Sequence, residues 1–379
     1  MSEINELTAK LRYPYDTHPA PGTTREIAPG VRWLTMPMGG SLNHINLYLL
    51  EDEQGWWIID TGLNLPQTRE HWEQILTEEL GGAPVIAVLC THFHPDHIGQ
   101  ARYLTDRFQC PLYMTHAEYY QARAFFGSGP GSSSDSRTGW LSRNFYVRAG
   151  MSEAFLDELK KQWEARGADA MVMPQMPDGY VRLRDGMTLT IGGREWRIVV
   201  GSGHSPEHAC LLCPELKVLI SGDQILPIIT SNVSVHASEP QANPLKDWME
   251  SHDKLLDLPD DLLVLPAHNL PFYGVRERLR DLISHHEDRM LAIEEYCSEV
   301  PRTARELLPV LFQRKLDARQ TMMALGEAIA HVHLLVHRNR LAPEPDASGT
   351  CRYRAIAPDL SRRAHPDAHE APDSGPMLV

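Results

Sequence analysis

The sequence predicts an α/β protein, and three features carry that prediction. Short runs of strand character alternate with segments of helical spacing, several of the strands are continuously apolar, and the polar residues capable of chemistry fall at strand ends. At 379 residues, with 42% hydrophobic and 23% charged residues, the chain can build a large core in one big domain with an appendage, or in two domains.

The runs Gly30–Gly39 and Ile45–Gly62 read as strands, the second folding back at a polar hairpin over Glu51–Gly55. Gln67–Leu80 has helical spacing, with Trp72, Ile75, Leu76 and Leu80 on one face. Pro84–Cys90 is a short buried strand, and a helix is expected from Asp96 to Phe108, with Pro95 just before it. Between His116 and Gly167 the strand rhythm breaks into aromatic-rich helical pieces around the loop GSGPGSSSDSRTG. Strands resume at Met187–Ile191, Arg194–Val200, Ala209–Cys213 and Lys217–Asp223, and after a helix beyond Leu245 another ends at Asn269. From Val275 the pattern is helical, and from Pro358 it is Pro-, Asp-, Ala- and His-rich without period, as in a disordered tail.

Composition narrows the function classes. The formal net charge of −14 argues against a broad phosphate-binding surface. No apolar run approaches the roughly 20 residues that cross a bilayer, and the acidic, polar start lacks the layout of a secretory signal. A soluble, cytoplasmic protein without a membrane partner is expected; a homo-oligomer is compatible with the sequence. The 6 cysteines form no disulfide framework. Cys210 and Cys213 make a C-x-x-C inside a strand, and with no second pair they are expected to pack.

The chemistry is concentrated in Thr91-His92-Phe93-His94-Pro95-Asp96-His97, which follows a buried strand and opens a helix. A strand end holds a tight loop rigidly, so these side chains can converge on one cation. Imidazole with carboxylate suits zinc, with iron or manganese as alternatives. A histidine-rich surface turn would have the same composition, but three histidines and an aspartate in register at a strand–helix junction are poorly explained that way. His204, Asp223 and His268 each follow a later strand and supply what the first motif lacks. Two divalent ions can then be held, one by His92, His94 and His204, the other by Asp96, His97 and His268, with Asp223 between them. No G-x-S-x-G elbow or P-loop ending competes.

In order and rough spacing, the H-x-H-x-D-H run, the later His, the Asp and the last His resemble the metallo-β-lactamase superfamily, over about Val31 to Tyr273. The resemblance implies an αββα sandwich with the metals at one sheet edge, and it assigns Asp60 to support of the metal loop from behind. It divides the chain into a metallo-β-lactamase domain at 1–275 with a helical insertion at about 116–180, a mostly helical, winged-helix-like domain at 276–357, and a tail at 358–379. Within the superfamily, Gly203–Leu226 and the C-terminal helices resemble the β-lactamase-like protein 2 group, although the long insertion between Cys110 and Tyr180 departs from it. Asp223 stands where true β-lactamases carry Cys, which argues against antibiotic hydrolysis, and the basic clusters that hold glutathione in glyoxalase II are not evident.

The expected mechanism is attack on an ester, thioester or lactone by a hydroxide shared between two cations, since metals lower the pKa of water to about 7. Asp96 is both a ligand and a candidate to orient or deprotonate that nucleophile. Tyr119, Trp140 and Tyr146 of the insertion, and His208, are candidate contacts to a small acyl-type substrate, with packing as the plainer role for the aromatic residues. His44 can face the site or simply end a strand. His285, His286, His331, His333 and His337 lie on helices without an H-E-x-x-H motif and are expected to pack or be solvated. Two further readings stay open: an endoribonuclease using the same metals, and a regulatory protein on a hydrolase scaffold. The intact ligand set opposes the second. An iron-dependent oxygenase fits less naturally beside two complete metal positions.

Overall fold

A computed structural model of the protein describes residues 11–39, 42–126, 139–166 and 173–357; most of the serine-rich loop of the insertion and the tail lie outside them. Strands β1 (Arg25–Ala28), β2 (Val31–Pro37), β3 (His44–Asp52), β4 (Gly55–Ile59), β5 (Val85–Leu89), β6 (Leu112–Thr115) and β7 (Val181–Leu183) form one sheet in sequence order. Its first four strands pair antiparallel and the rest parallel. A second, five-stranded sheet has the order β12 (Leu263–Pro266), β11 (Val218–Gly222), β10 (His208–Cys213), β9 (Arg194–Gly201), β8 (Thr188–Ile191).

Strand alternation explains the layers. On β3, Tyr48 and Leu50 point between the sheets, where they join Trp33, Trp196, Ile198, Leu211, Ile220 and Leu265. Leu47 and Leu49 point outward, against Trp72 and Ile75 of the helix that begins as α1 (Pro66–Gln74) and against Ile98 and Leu104. The far face of the second sheet, with Cys210, Leu212 and Val264, is covered by Leu245 and Trp248 of α7 (Pro244–Leu255) and by helices of the C-terminal region. The central strands of both sheets are buried on both faces, which is why β5, β10, β11 and β12 read as continuous apolar runs, whereas β8 at an edge alternates. Cys210 and Cys213 fall on opposite faces of β10, so the C-x-x-C cannot close on one ion.

Two expectations need correction. The helix from Asp96 to Phe108 is two helices, α2 (Pro95–Ile98) and α3 (Ala101–Phe108). The backbone N–H and hydroxyl of Thr61 both donate to the carbonyl of His97, taking the acceptor that a continuous helix would use. Gly99 sits against the 62–64 backbone, where a Cβ would lie 2.4 Å from Asn64 N. The C-terminal region also ends in a hairpin absent from the helical expectation. After α8 (Val275–Glu299), α9 (Leu308–Leu311) and α10 (Ala318–His337), strands β14 (Leu341–Pro345) and β15 (Cys351–Ala355) pair with β13 (Arg302–Thr303) in the order β13-β15-β14. Pro343 and Pro345 hide β14 from a sequence reading and are tolerated because it is an edge strand. Within the insertion lie α4 (His116–Phe126), α5 (Trp140–Arg148) and α6 (Glu153–Arg166). Among the described residues no helix is long and apolar enough to cross a membrane.

Asn46 stitches the two sheets together next to the functional edge. Its amide donates to Pro266 O at 2.9 Å and Asn269 O at 2.6 Å, and its Oδ1 accepts from Trp33 Nε1 at 2.9 Å. Asn46→Ala strands a buried indole N–H and withdraws a donor from two carbonyls, and we expect a loss of about 2–4 kcal/mol in urea unfolding.

Candidate metal centre

Strands β4, β5, β9, β11 and β12 all deliver their C-terminal ends to one edge, where the two sheets meet; the cross-sheet bonds Asn46 N to Ala267 O and Ala209 N to Thr91 O close that edge. Here the residues singled out by their position after strands come together. Ligand atoms of His92, His94, His204 and Asp223 lie within 4.8 Å of one another, as do those of Asp96, His97 and His268. Asp223 faces both groups: its carboxylate is 3.4 Å from His204 Nε2, 3.9 Å from His92 Nε2, and 3.5 Å from both His97 Nε2 and His268 Nε2. Six of the seven residues are buried, and His94 is half-buried.

The donor set fits cations. Both oxygens of Asp96 and of Asp223, and Nε2 of His97 and His268, are buried without a hydrogen-bond partner among the described residues. Isolated carboxylates in such a place are costly unless a charge compensates them. The Nε2 atoms of His92 and His204 face each other at 3.3 Å, an arrangement suited to two lone pairs sharing one ion. Burial alone would lower the pKa of His97, but the carboxylates of Asp60, Asp96 and Asp223 raise it well above the usual value. Burial, reinforced by the surrounding imidazoles, holds that of His92 well below. Against its burial, His268, His97 and His204 keep Asp223 well below the ordinary carboxylate range.

Each of three ligand imidazoles is gripped at Nδ1, which leaves Nε2 for the site. His97 Nδ1 bonds Asp60 at 2.8 Å, His204 Nδ1 bonds Asn232 O at 2.7 Å, and His268 Nδ1 bonds His44 O at 3.3 Å. Asp60 is held by a left-handed backbone (φ 61°) and also accepts from the Thr91 N–H at 2.7 Å and the Thr91 hydroxyl, so one carboxylate aims both ends of the loop. Pro95 starts α2 and keeps His94 extended, which turns the loop toward the later ligands. His208 lies behind them: its Nε2 accepts from Asp223 N at 3.1 Å, and its ring stacks on His92 at 4.8 Å. Burial lowers its pKa to about 3, so it stays neutral and acts as an acceptor.

Three further groups escape a sequence reading. Buried Glu118 of α4 accepts from Phe93 N at 3.0 Å and Glu207 N at 2.7 Å, tying the first ligand loop to the one that carries His204. Burial, opposed by hydrogen bonds from Ser205, Glu207 and Phe93, raises its pKa to about 7. Asn232, besides holding His204, is 3.4 Å from Glu327 of α10, which pairs at 2.6 Å with Arg289 of α8 in a buried ion pair. The partners of Glu118 and His204 are main-chain groups, and no residue pattern announces those.

The aromatic candidates of the insertion have varied surroundings. Tyr119 is buried, donates to Pro177 O at 3.0 Å and stacks on Tyr180 at 4.0 Å; Tyr146 packs on the cluster formed with the C-terminal helices; Trp140 is 78% exposed. Tyr119 and Tyr146 thus both make packing contacts. His331 bonds His286 at 3.0 Å inside the C-terminal core, His285 adjoins His286, His333 bonds Ala242 O, and His337 is exposed.

Two facing sheets sheathed in helices, with paired His/Asp clusters at one edge, define a metal-site protein of αββα architecture. The chain belongs to the metallo-β-lactamase superfamily, whose family model matches residues 40–268; residues 290–356 match a metallo-β-lactamase-like C-terminal domain. A β-lactamase domain protein from Burkholderia ambifaria is 41% identical, with a TM-score of 0.83 over 93% of this chain and 100% of that one. The human acyl-coenzyme A thioesterase MBLAC2 is 27% identical over 78% of this chain and 96% of its own. A linear primary-alkylsulfatase from Pseudomonas sp. (strain ATCC 19151) is 26% identical over 65% of this chain, a match spanning only 45% of the sulfatase.

Asp60→Asn removes the charge behind His97, and we expect metal affinity at the Asp96–His97–His268 position to fall roughly 10–100-fold, read by competition with a chromophoric chelator. Glu327→Ala leaves Arg289 buried and unpaired, and denaturant unfolding should register a loss of about 3–5 kcal/mol.

Proposed function

We propose that this protein is a dinuclear metal-dependent hydrolase of acyl substrates, with thioesters first and lactones and simple esters as alternatives. The observation that carries the reading is Asp223, buried between two complete ligand groups and facing both. His92, His94 and His204 hold one position, Asp96, His97 and His268 the other, with zinc the favoured ion and iron or manganese the alternatives. When bound, such ions polarise a carbonyl and bring the pKa of a water from 15.7 down to about 7. The chain's own part is orientation and proton handling. Asp60, Asn232 and His44 fix three imidazoles, and Asp96, whose oxygens accept no hydrogen bond among the described residues, can take a proton from the attacking water.

The thioesterase relative aligns over nearly its whole length, which supports an acyl substrate. The net charge of −14 weighs against a phosphodiester polymer. The C-terminal unit of helices and hairpin is winged-helix-like in this reading, and its role is to brace the His204 wall through Glu327 and Asn232. All six cysteines are unpaired, consistent with action in the cytoplasm.

The test combines metal analysis with turnover of an acyl thioester, a lactone, an alkyl sulfate and single-stranded RNA. Two transition metals per chain, with thioester or lactone hydrolysis lost on chelation and in Asp223→Ala, is the expected result. Cleavage confined to RNA or to the sulfate ester would replace the substrate class, and a wild type inactive after metal reconstitution would leave the scaffold reading.

A further inference from the structure

Helices α7, α8 and α10 meet on a set of aromatic rings. Trp248 and His252 come from α7, His285 and His286 from α8, and His331 from α10. Centroid to centroid, the Trp248 ring lies 3.5 Å from that of His252 and 4.7 Å from that of His286, and Trp248, His252, His286 and His331 are all buried. His286 and His331 bond directly, Nδ1 to Nε2 at 3.0 Å, and His331 Nδ1 bonds Glu327 O at 2.8 Å. A carbonyl only accepts, so His331 donates from Nδ1 and its Nε2 accepts the Nδ1–H of His286. The arrangement is complete with both rings neutral. His286 Nε2 is buried without a hydrogen-bond partner among the described residues, so a proton placed there finds no acceptor.

The charges around the pair oppose a further proton. Arg289 of α8 acts on both rings, and His252 of α7 and His285 of α8 add to the repulsion at His286. Arg278 of α8 acts in turn on His252 and His285. Glu327 of α10 is already committed to Arg289 at 2.6 Å, and Asp281 of α8 acts on Arg278. Burial, with Arg289 beside it, lowers the pKa of His331 to about 3, and burial reinforced by His331, His285, Arg289 and His252 holds that of His286 well below its usual value. An unfolded imidazole titrates at about 6.5. Both folded values are depressed, so the opened chain binds more protons than the closed one. The stabilisation is therefore fully present above about pH 6.5 and is lost as the pH falls. The cluster also connects to the metal centre. Asn232 Nδ2 donates to Glu327 at 3.4 Å, and Asn232 O accepts from His204 Nδ1 at 2.7 Å.

We propose that the His286–His331 pair is an acid-sensitive latch: mild acidification parts α8 from α10, and the loss passes through Glu327 and Asn232 to the wall that orients His204. The latch stands on the packing of the three helices, and only its control of turnover rests on the hydrolase reading above. Neither ring is a metal ligand, so acid acts here separately from direct protonation of the centre.

The test follows backbone hydrogen exchange by mass spectrometry in the full-length, metal-loaded protein and in His286→Gln and His331→Gln, at about pH 7.5 and about pH 5.5, corrected for the intrinsic pH dependence of exchange. A histidine that is neutral in place and protonates on opening raises the opening constant roughly tenfold over that interval. In the wild type, peptides from α10 and from 226–237 are expected to lose protection in acid, and the loss should be roughly tenfold smaller in either variant. Metal released by acid affects all three proteins alike, so the difference between them belongs to the pair. A loss as large in the variants as in the wild type overturns the latch, and so does a loss in α10 that leaves 226–237 protected. Deuterium exchange at the imidazole C2 carbon needs no variant. His286 and His331 should stay neutral at about pH 5.5 in the wild type, and titration of either near its ordinary value of about 6.5 also overturns the proposal. Thioester turnover should fall reversibly over the same interval, more steeply in the wild type than in the variants; an equal fall overturns the control of turnover. A protein that turns over no thioester but shows the tenfold difference in exchange loses the hydrolase reading and keeps the latch.

Discussion

Two carboxylates and five imidazoles face one another at the junction of the sheets, away from water, and much of the surrounding structure serves to hold them there. Left alone, buried Asp96 and Asp223 would carry a large desolvation cost. Cations offset it, but only where the ligand atoms stand ready at bonding range. Rigidity therefore has to come from outside the ligand set. It comes from Asp60 on His97 and Thr91, from Asn232 O on His204, from His44 O on His268, and from His208 on the main chain of Asp223.

The same demand explains the long-range ties. Glu118 uses two main-chain N–H groups to join the loop after β5 to the loop after β9, so the first two His ligands keep their distance from His204. Arg278, on the first turns of α8, holds the carbonyls of Leu226 and Ile229, and α10 holds Asn232 through Glu327 and Val235 through Gly326 O. The wall that follows Asp223 is thus pinned to the C-terminal helices. Those helices share one apolar cluster with the second sheet and with Ala149 and Met151 of the insertion, so the second sheet, the insertion and the C-terminal helices pack together.

Some of this was legible along the chain. Strands buried on both faces announce themselves as continuous apolar runs, and ligands set after strand ends announce a shared sheet edge; the seven residues chosen on those grounds are the ones that meet. Where local rules met a long-range competitor, the reading failed. Pro95 and the spacing through Phe108 satisfy a single helix, and only Thr61, brought in from the end of β4, takes the His97 carbonyl and breaks it. The prolines of β14 argue against a strand until the sheet order places that strand at the edge.

By itself, then, the sequence determined the alternation of strands and helices and the inner ring of candidate ligands, because both follow from side-chain type and period, which are local properties; the sandwich was implied by the family resemblance. Only the tertiary structure decided what stands behind that ring. Glu118, Asn232 and the Arg289–Glu327 pair act through main-chain groups or partners dozens of residues away. A hydrogen bond to a backbone N–H needs no particular residue at the other end, so it leaves no pattern in the sequence.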